Sequence, residues 1–94
     1  AKLAFFKFKN ITLELIEPIG GPSTWKAHLD KYGPGIHHIA FNVKDTLQKV
    51  EELEKQGIEM EQKGNFPGGH YVYMDAHDSL HLTIELLGKG LKKI

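Results

Sequence analysis

The chain contains no cysteine among its 94 residues, which excludes disulfides and thiolate metal sites. Any metal must therefore be bound by nitrogen and oxygen ligands. Excess charge is also absent, because 12 basic residues balance 12 acidic ones, whereas a protein that tracks nucleic-acid phosphates needs a basic stripe. The sequence has neither an apolar run near the roughly 20 residues of a membrane span nor a signal-peptide pattern. We therefore expect a soluble, cytoplasmic protein with no nucleic-acid or membrane partner.

The pattern of apolar residues predicts a single α+β domain. Two strands, at 3–8 and 11–17, flank an expected tight turn at Lys9-Asn10 and predict a hairpin. Ser23 or Thr24 can N-cap a short helix, which the sequence Gly33-Pro34-Gly35 ends. The first third of the chain therefore reads strand-strand-helix.

The rest of the chain predicts one more helix and four more strands. A strand at 36–43 precedes a helix that Asp45 caps, with Gln48 at the capping-box position and Gly57 at the C-terminal end. Three further strands are predicted near 58–62, 71–74 and 82–87. We expect the basic tail at 89–94 to be frayed.

Strand alternation separates an apolar face from a polar one. We expect the apolar face of the sheet to pack against an apolar stripe on the second helix. The strand residues of this core are Ile39, Phe41, Ile84 and Leu86, and the helix residues are Leu47, Val50 and Leu53. The polar face carries three side chains that can bind metal, each in the middle of an apolar strand: Glu14, His38 and Glu85.

These three residues have two explanations at this level. A buried mid-strand carboxylate is unfavourable without a partner, so the three could share a divalent nickel, cobalt, manganese, iron or zinc ion. Solvated or ion-paired glutamates are the more common case on a wet sheet face, however, and a lone histidine is more often structural. His37 is expected to make a structural hydrogen bond or cap on the helix side or edge of its strand. Residues that could line a binding pocket are Tyr71, Tyr73, His70 and His81.

Three segments carry a family resemblance. The stretch GPGIHHIAFNVKD at 33–45 resembles the start of the second module in the vicinal oxygen chelate superfamily. That superfamily includes glyoxalase I, methylmalonyl-CoA epimerase, bleomycin-resistance proteins and extradiol dioxygenases. The segments LELIEP at 13–18 and TIELL at 83–87 are similar to two other strand ends of the family. The resemblance runs from about Leu3 to Leu87.

The resemblance implies a vicinal-oxygen-chelate fold, in which paired β-α-β-β-β modules form a metal-bearing cup. Residues 1–94 would be one such domain, with 35–87 as the complete second module and 1–18 as the last two strands of the first. The first module is then incomplete, and the strand that bears a fourth ligand is absent. We expect an N-terminal segment to be missing, since Ala1 begins abruptly in strand-like sequence, or else a partner chain to complete the sheet. The open edge predicts a homodimer.

The resemblance also implies a chemistry. Glu14, His38 and Glu85 match metal-ligand positions, so His38→Ala, and not His37→Ala, should abolish metal retention. The activity would be that of a lyase or isomerase, such as lactoylglutathione lyase or methylmalonyl-CoA epimerase, acting on a small-molecule carbonyl or thioester substrate. Glu85 or Glu14 would abstract the proton next to the carbonyl, which the metal polarises. The alternatives are a non-catalytic, bleomycin-resistance-like binding protein and a structural domain without activity.

Overall fold

The computed structural model describes residues 1–90, in which the chain forms six strands and three helices. Residues 91–94, which belong to the predicted basic tail, lie outside the described residues. No helix within 1–90 is long and apolar enough to cross a membrane. In chain order the elements are β1 (Lys2–Lys7), β2 (Thr12–Glu17), α1 (Thr24–Tyr32), β3 (His38–Asn42), α2 (Thr46–Lys55), β4 (Glu59–Phe66), β5 (Gly69–Asp75), α3 (His77–Leu80) and β6 (Thr83–Lys89).

The chain divides into two compact units, and the first, Ala1–Gly35, contains the predicted hairpin and helix. Strands β1 and β2 pair antiparallel, and the N–H of Phe8 donates to the carbonyl of Ile11 at 2.8 Å across the turn. Ser23 is the N-cap of α1, because its hydroxyl accepts from the N–H of Lys26 at 3.1 Å. At the other end Gly33, with φ 77°, donates its N–H to the carbonyl of Leu29. Both ends of this helix are therefore confirmed.

The second unit begins at Ile36 and is built on a four-stranded sheet of order β3-β6-β5-β4. Strands β3 and β6 run parallel, whereas β6-β5 and β5-β4 are antiparallel. The unit thus has the β-α-β-β-β order of a complete module, with the short helix α3 between its last two strands. The predicted α+β architecture and the complete second module are confirmed. Helix α3, of only four residues, was not predicted.

Helix α2 begins and ends where its sequence predicts. The Asp45 side chain accepts from the N–H of Gln48 at 3.1 Å, which satisfies one of the free amides of the first turn. At the C-terminal end, the N–H of Ile58 donates to the carbonyl of Leu53 and the N–H of Gly57 to that of Glu54. This is a Schellman motif, and its left-handed residue is Gly57, with φ 84°.

The core lies between α2 and the centre of the sheet. Its buried members are Val50, Val72, Met74 and Leu86, and it is flanked by the partly buried Val43, Leu53, Ile58 and Ile84. Three residues expected in this core are instead exposed, namely Ile39 (48%), Phe41 (52%) and Leu47 (56%). That part of the prediction is wrong because β3 lies at one edge of the described sheet, whereas α2 packs against β4, β5 and β6.

Candidate metal centre

The sheet face that turns away from the core carries the candidate site. Val72, Met74 and Leu86 point toward α2, so the alternating residues Tyr73 and Glu85 point the other way. The register places these two side by side, because Tyr73 on β5 pairs with Glu85 on β6.

His38 and Glu85 are brought together on this face. His38 opens β3 opposite Thr83, and Glu85 lies two residues further along the parallel strand β6. The imidazole Nε2 of His38 lies 3.2 Å from Oε1 of Glu85, and the two side chains are only 10% and 12% exposed. A carboxylate so far from water needs a compensating partner, which His38 supplies.

His37 takes part in the same arrangement. Its Nδ1 lies 2.9 Å from Nδ1 of His38, and its carbonyl accepts from the N–H of Thr83 at 3.0 Å. Its ring meets that of Tyr73 edge-on, with centroids 5.3 Å apart. The predicted hydrogen-bonding role is confirmed, but the ring contacts Tyr73 on the candidate face. Alternation assigned His37 and His38 to opposite faces, and it fails here because His37 precedes the first residue of β3.

Tyrosines continue this face toward β4. The ring of Tyr73 lies 5.4 Å from that of His38 and 5.0 Å from that of Tyr71. The hydroxyl of Tyr71 accepts from Nε2 of Gln62 at 2.9 Å. Gly64 on β4 makes room for the Tyr71 ring, since a Cβ at that position would overlap with it. Tyr73 thus lies beside the His38–Glu85 pair and Tyr71 beside Tyr73, and their role as pocket walls stays a prediction.

The two other pocket candidates lie elsewhere. His70 alternates with Val72 and Met74, so it points to the core side of the sheet. There its Nε2 and the Thr46 hydroxyl are 2.6 Å apart in a buried hydrogen bond. His81 is exposed at the C-cap of α3, in the left-handed conformation with φ 62°.

Glu14, the third predicted ligand, belongs to the first unit. It is half-buried in the middle of β2 and pairs with Phe5. Within the described part of the second unit, residues 36–90, no group of three His, Asp or Glu side chains could hold a metal ion. A site shared by Glu14, His38 and Glu85 therefore stays a prediction.

The His38–Glu85 pair has donor atoms that fit a divalent transition metal. Imidazole nitrogen and carboxylate oxygen bind such ions at roughly 2.0–2.2 Å. Two ligand atoms on one ion are separated by no more than about twice that bond length, and the observed separation is 3.2 Å. This pair can supply two ligands to a single ion.

Sequence comparison relates part of the chain to two known proteins. The uncharacterized protein YqjC of Bacillus subtilis (strain 168) is 36% identical over 58 residues, which is 62% of this chain and 41% of that protein. A 4-hydroxyphenylpyruvate dioxygenase of Tetrahymena thermophila is 37% identical over 54 residues, covering 54% of this chain and 13% of the dioxygenase. The matched stretch thus spans less than half the length of either relative.

Two solved structures share the fold. Hypothetical protein BH1468 from Bacillus halodurans C-125 superposes with a TM-score of 0.73 at 24% identity, over 98% of this chain and 69% of its own. Methylmalonyl-CoA epimerase from Mycobacterium tuberculosis superposes with a TM-score of 0.69 at 23% identity, over 95% of this chain and 63% of the epimerase chain. At these identities the likeness concerns the fold alone.

A family model identifies the lineage directly. The model of the glyoxalase/bleomycin resistance protein/dioxygenase superfamily matches residues 1–74. That range contains Glu14 and His38 and ends before Glu85. The chain belongs to the glyoxalase/bleomycin resistance protein/dioxygenase superfamily.

Proposed function

We propose that this chain acts as a metal-dependent lyase or isomerase of the glyoxalase or methylmalonyl-CoA-epimerase type, which abstracts a proton next to a carbonyl group. The observation that carries the proposal is the His38–Glu85 pair, with donor atoms 3.2 Å apart and little exposure to water. Membership of the glyoxalase/bleomycin resistance protein/dioxygenase superfamily supports a function of this general type.

In this proposal His38 and Glu85 are two metal ligands and Glu14 is the third. A divalent nickel, cobalt, manganese, iron or zinc ion would act there as a Lewis acid that polarises the substrate carbonyl. His38 would bind through Nε2, the atom that faces Glu85. Tyr73, whose ring contacts His38 and which is 3% exposed, would exclude water from one side of the pair.

Glu85 is the proposed base, with Glu14 as the alternative. A carboxylate has two oxygens, so one can remain next to His38 while the other accepts the proton from the substrate. Glu85 is held in the middle of β6, between β3 and β5, which fixes its position relative to a bound substrate. The proposed substrate is a small-molecule carbonyl or thioester, and the homodimer likewise stays a proposal.

Metal titration of the purified chain tests the ligand assignment. We expect nickel, cobalt, manganese or zinc to bind in calorimetry, and His38→Ala to abolish binding. Glu85→Gln should weaken it, because the amide carries no charge. The matched controls remove the same groups elsewhere: His81→Asn takes an exposed imidazole from α3, and Glu54→Gln takes an exposed carboxylate from α2. Neither control should change the affinity.

Solvent exchange tests the chemistry separately. A metal-loaded chain should catalyse deuterium exchange from D2O into the position next to the carbonyl of an acyl thioester or a hemithioacetal. Proton NMR measures this exchange.

In the metal titration, a loss of binding in His81→Asn equal to that in His38→Ala would contradict the proposed site. Tight binding of the small molecule without metal or exchange would instead indicate the bleomycin-resistance-like alternative.

A further inference from the structure

The contact between His37 and His38 constrains where their protons lie. Their Nδ1 atoms are 2.9 Å apart, which is a hydrogen-bond distance. Because a neutral imidazole has one N–H and one lone pair, one Nδ1 must donate and the other must accept. The proton position in one ring therefore determines the position in the other.

The second ring nitrogen of His38, Nε2, also constrains where the proton lies. Its Nε2 lies 3.2 Å from Oε1 of Glu85, and a carboxylate only accepts hydrogen bonds. Without a metal, Nε2–H of His38 donates to Glu85, so its Nδ1 is the acceptor and His37 the donor. If Nε2 were to hold a metal ion, the N–H of His38 would lie on Nδ1 and donate to His37. Only a side chain that can both donate and accept at that point serves both states.

We propose that His37 is a positioning residue that fixes the orientation of the His38 ring through the Nδ1–Nδ1 hydrogen bond. This inference deepens the proposed function, and the part of it that concerns metal affinity rests on that function. His37 itself is held on two sides, by Thr83 N–H at its carbonyl and by the Tyr73 ring at its imidazole. A metal-ligating histidine is commonly oriented by a partner on its other nitrogen, and loss of that partner lowers metal affinity by roughly 10- to 100-fold. The expectation that His37→Ala leaves metal retention intact is accordingly revised.

The first experiment uses the metal-free chain, so that it does not depend on the proposed function. Imidazole ¹⁵N chemical shifts distinguish protonated from unprotonated ring nitrogens. We expect a single His38 tautomer in the wild type, with the proton on Nε2. In His37→Leu, which has neither donor nor acceptor, Nε2 of His38 should keep its proton because it still donates to Glu85, but Nδ1 should lose its hydrogen bond and its ¹⁵N signal should move. His37→Asn keeps an amide that can donate to Nδ1, and it should restore the wild-type Nδ1 shift.

The second experiment measures zinc and nickel affinity of the same variants. We expect His37→Leu to bind roughly 10- to 100-fold more weakly than wild type, and His37→Asn to recover most of the loss. Circular dichroism checks folding, and His37→Ala replaces His37→Leu if the latter fails to fold.

The outcomes separate the inference from the proposed function. Unchanged His38 shifts in His37→Leu would overturn the inference, as would a metal affinity equal to wild type. If the wild-type chain binds no metal, the proposed function fails, and changed ¹⁵N shifts that His37→Asn restores would still support the orienting role of His37.

Discussion

The two units of the chain use similar apolar strands with different results. In the first, residues 1–35, all of which the structure describes, none is buried, and hairpin residues such as Phe5 and Leu13 are 59% and 46% exposed. In the second, Val72 and Met74 are 0% exposed. In the second unit, α2 packs on the four-stranded sheet and buries one face of it. Alternation thus creates an apolar face, but burial requires a second layer.

The largest effect expected from this comparison is that of Met74→Ala. Met74 is fully buried in the core cluster, and truncating such a side chain lowers the free energy of unfolding by about 2–5 kcal/mol. Urea unfolding followed by circular dichroism measures the change. The control is Leu13→Ala on the half-exposed hairpin, for which we expect less than about 1 kcal/mol. Equal losses in the two variants would break the distinction between the units.

A smaller effect is expected for Gly88→Ala on β6. A Cβ there would overlap with the His70 ring and the Thr46 hydroxyl, which form the buried hydrogen bond behind the sheet. Overpacking of this kind destabilises by about 1–3 kcal/mol. Gly35→Ala is the matched substitution in the first unit, where no atom lies within 4 Å of the added methyl. Thermal melting should show a lower midpoint for Gly88→Ala only, and a normal midpoint would show that the pair can shift aside.

The smallest effect is expected for Phe41→Ala, which sharpens the comparison within the second unit. Phe41 on β3 and Leu86 on β6 are register partners, yet they are 52% and 4% exposed. A half-exposed side chain contributes only part of the roughly 1.5–3 kcal/mol of full burial. In the same urea experiment Phe41→Ala should therefore cost less than Leu86→Ala. The reverse order would mean that the edge strand contributes as much to stability as the centre of the sheet.

Local features of the fold could be predicted from the sequence because their causes are local. The turn at Lys9-Asn10, the caps at Ser23 and Asp45 and the glycine at position 57 all act within a few residues of themselves. Alternation also placed His38 and Glu85 on the face away from the core, because side chains in a strand repeat every two residues.

Features that depend on residues far apart in the sequence could not be predicted from local patterns. The edge position of β3, which leaves Phe41 exposed, follows from strand order, and strand order has no local signal. Periodicity likewise could not assign His70 to Thr46, a partner 24 residues away. The His37–His38 contact was missed because it depends on where β3 begins, and boundaries of elements are the least certain part of a sequence-based prediction.

The parallel pairing of β3 with β6 has a consequence for the order of events during folding. His38 and Glu85 are separated by half the length of the chain, so their pairing is among the contacts of largest sequence separation within the described part of the second unit. Such contacts require a large loop to close before they stabilise anything. During synthesis, the residues of the hairpin, of both longer helices and of β3 to β5 leave the ribosome before Glu85 does. The donor pair is thus completed only when the last strand inserts between β3 and β5.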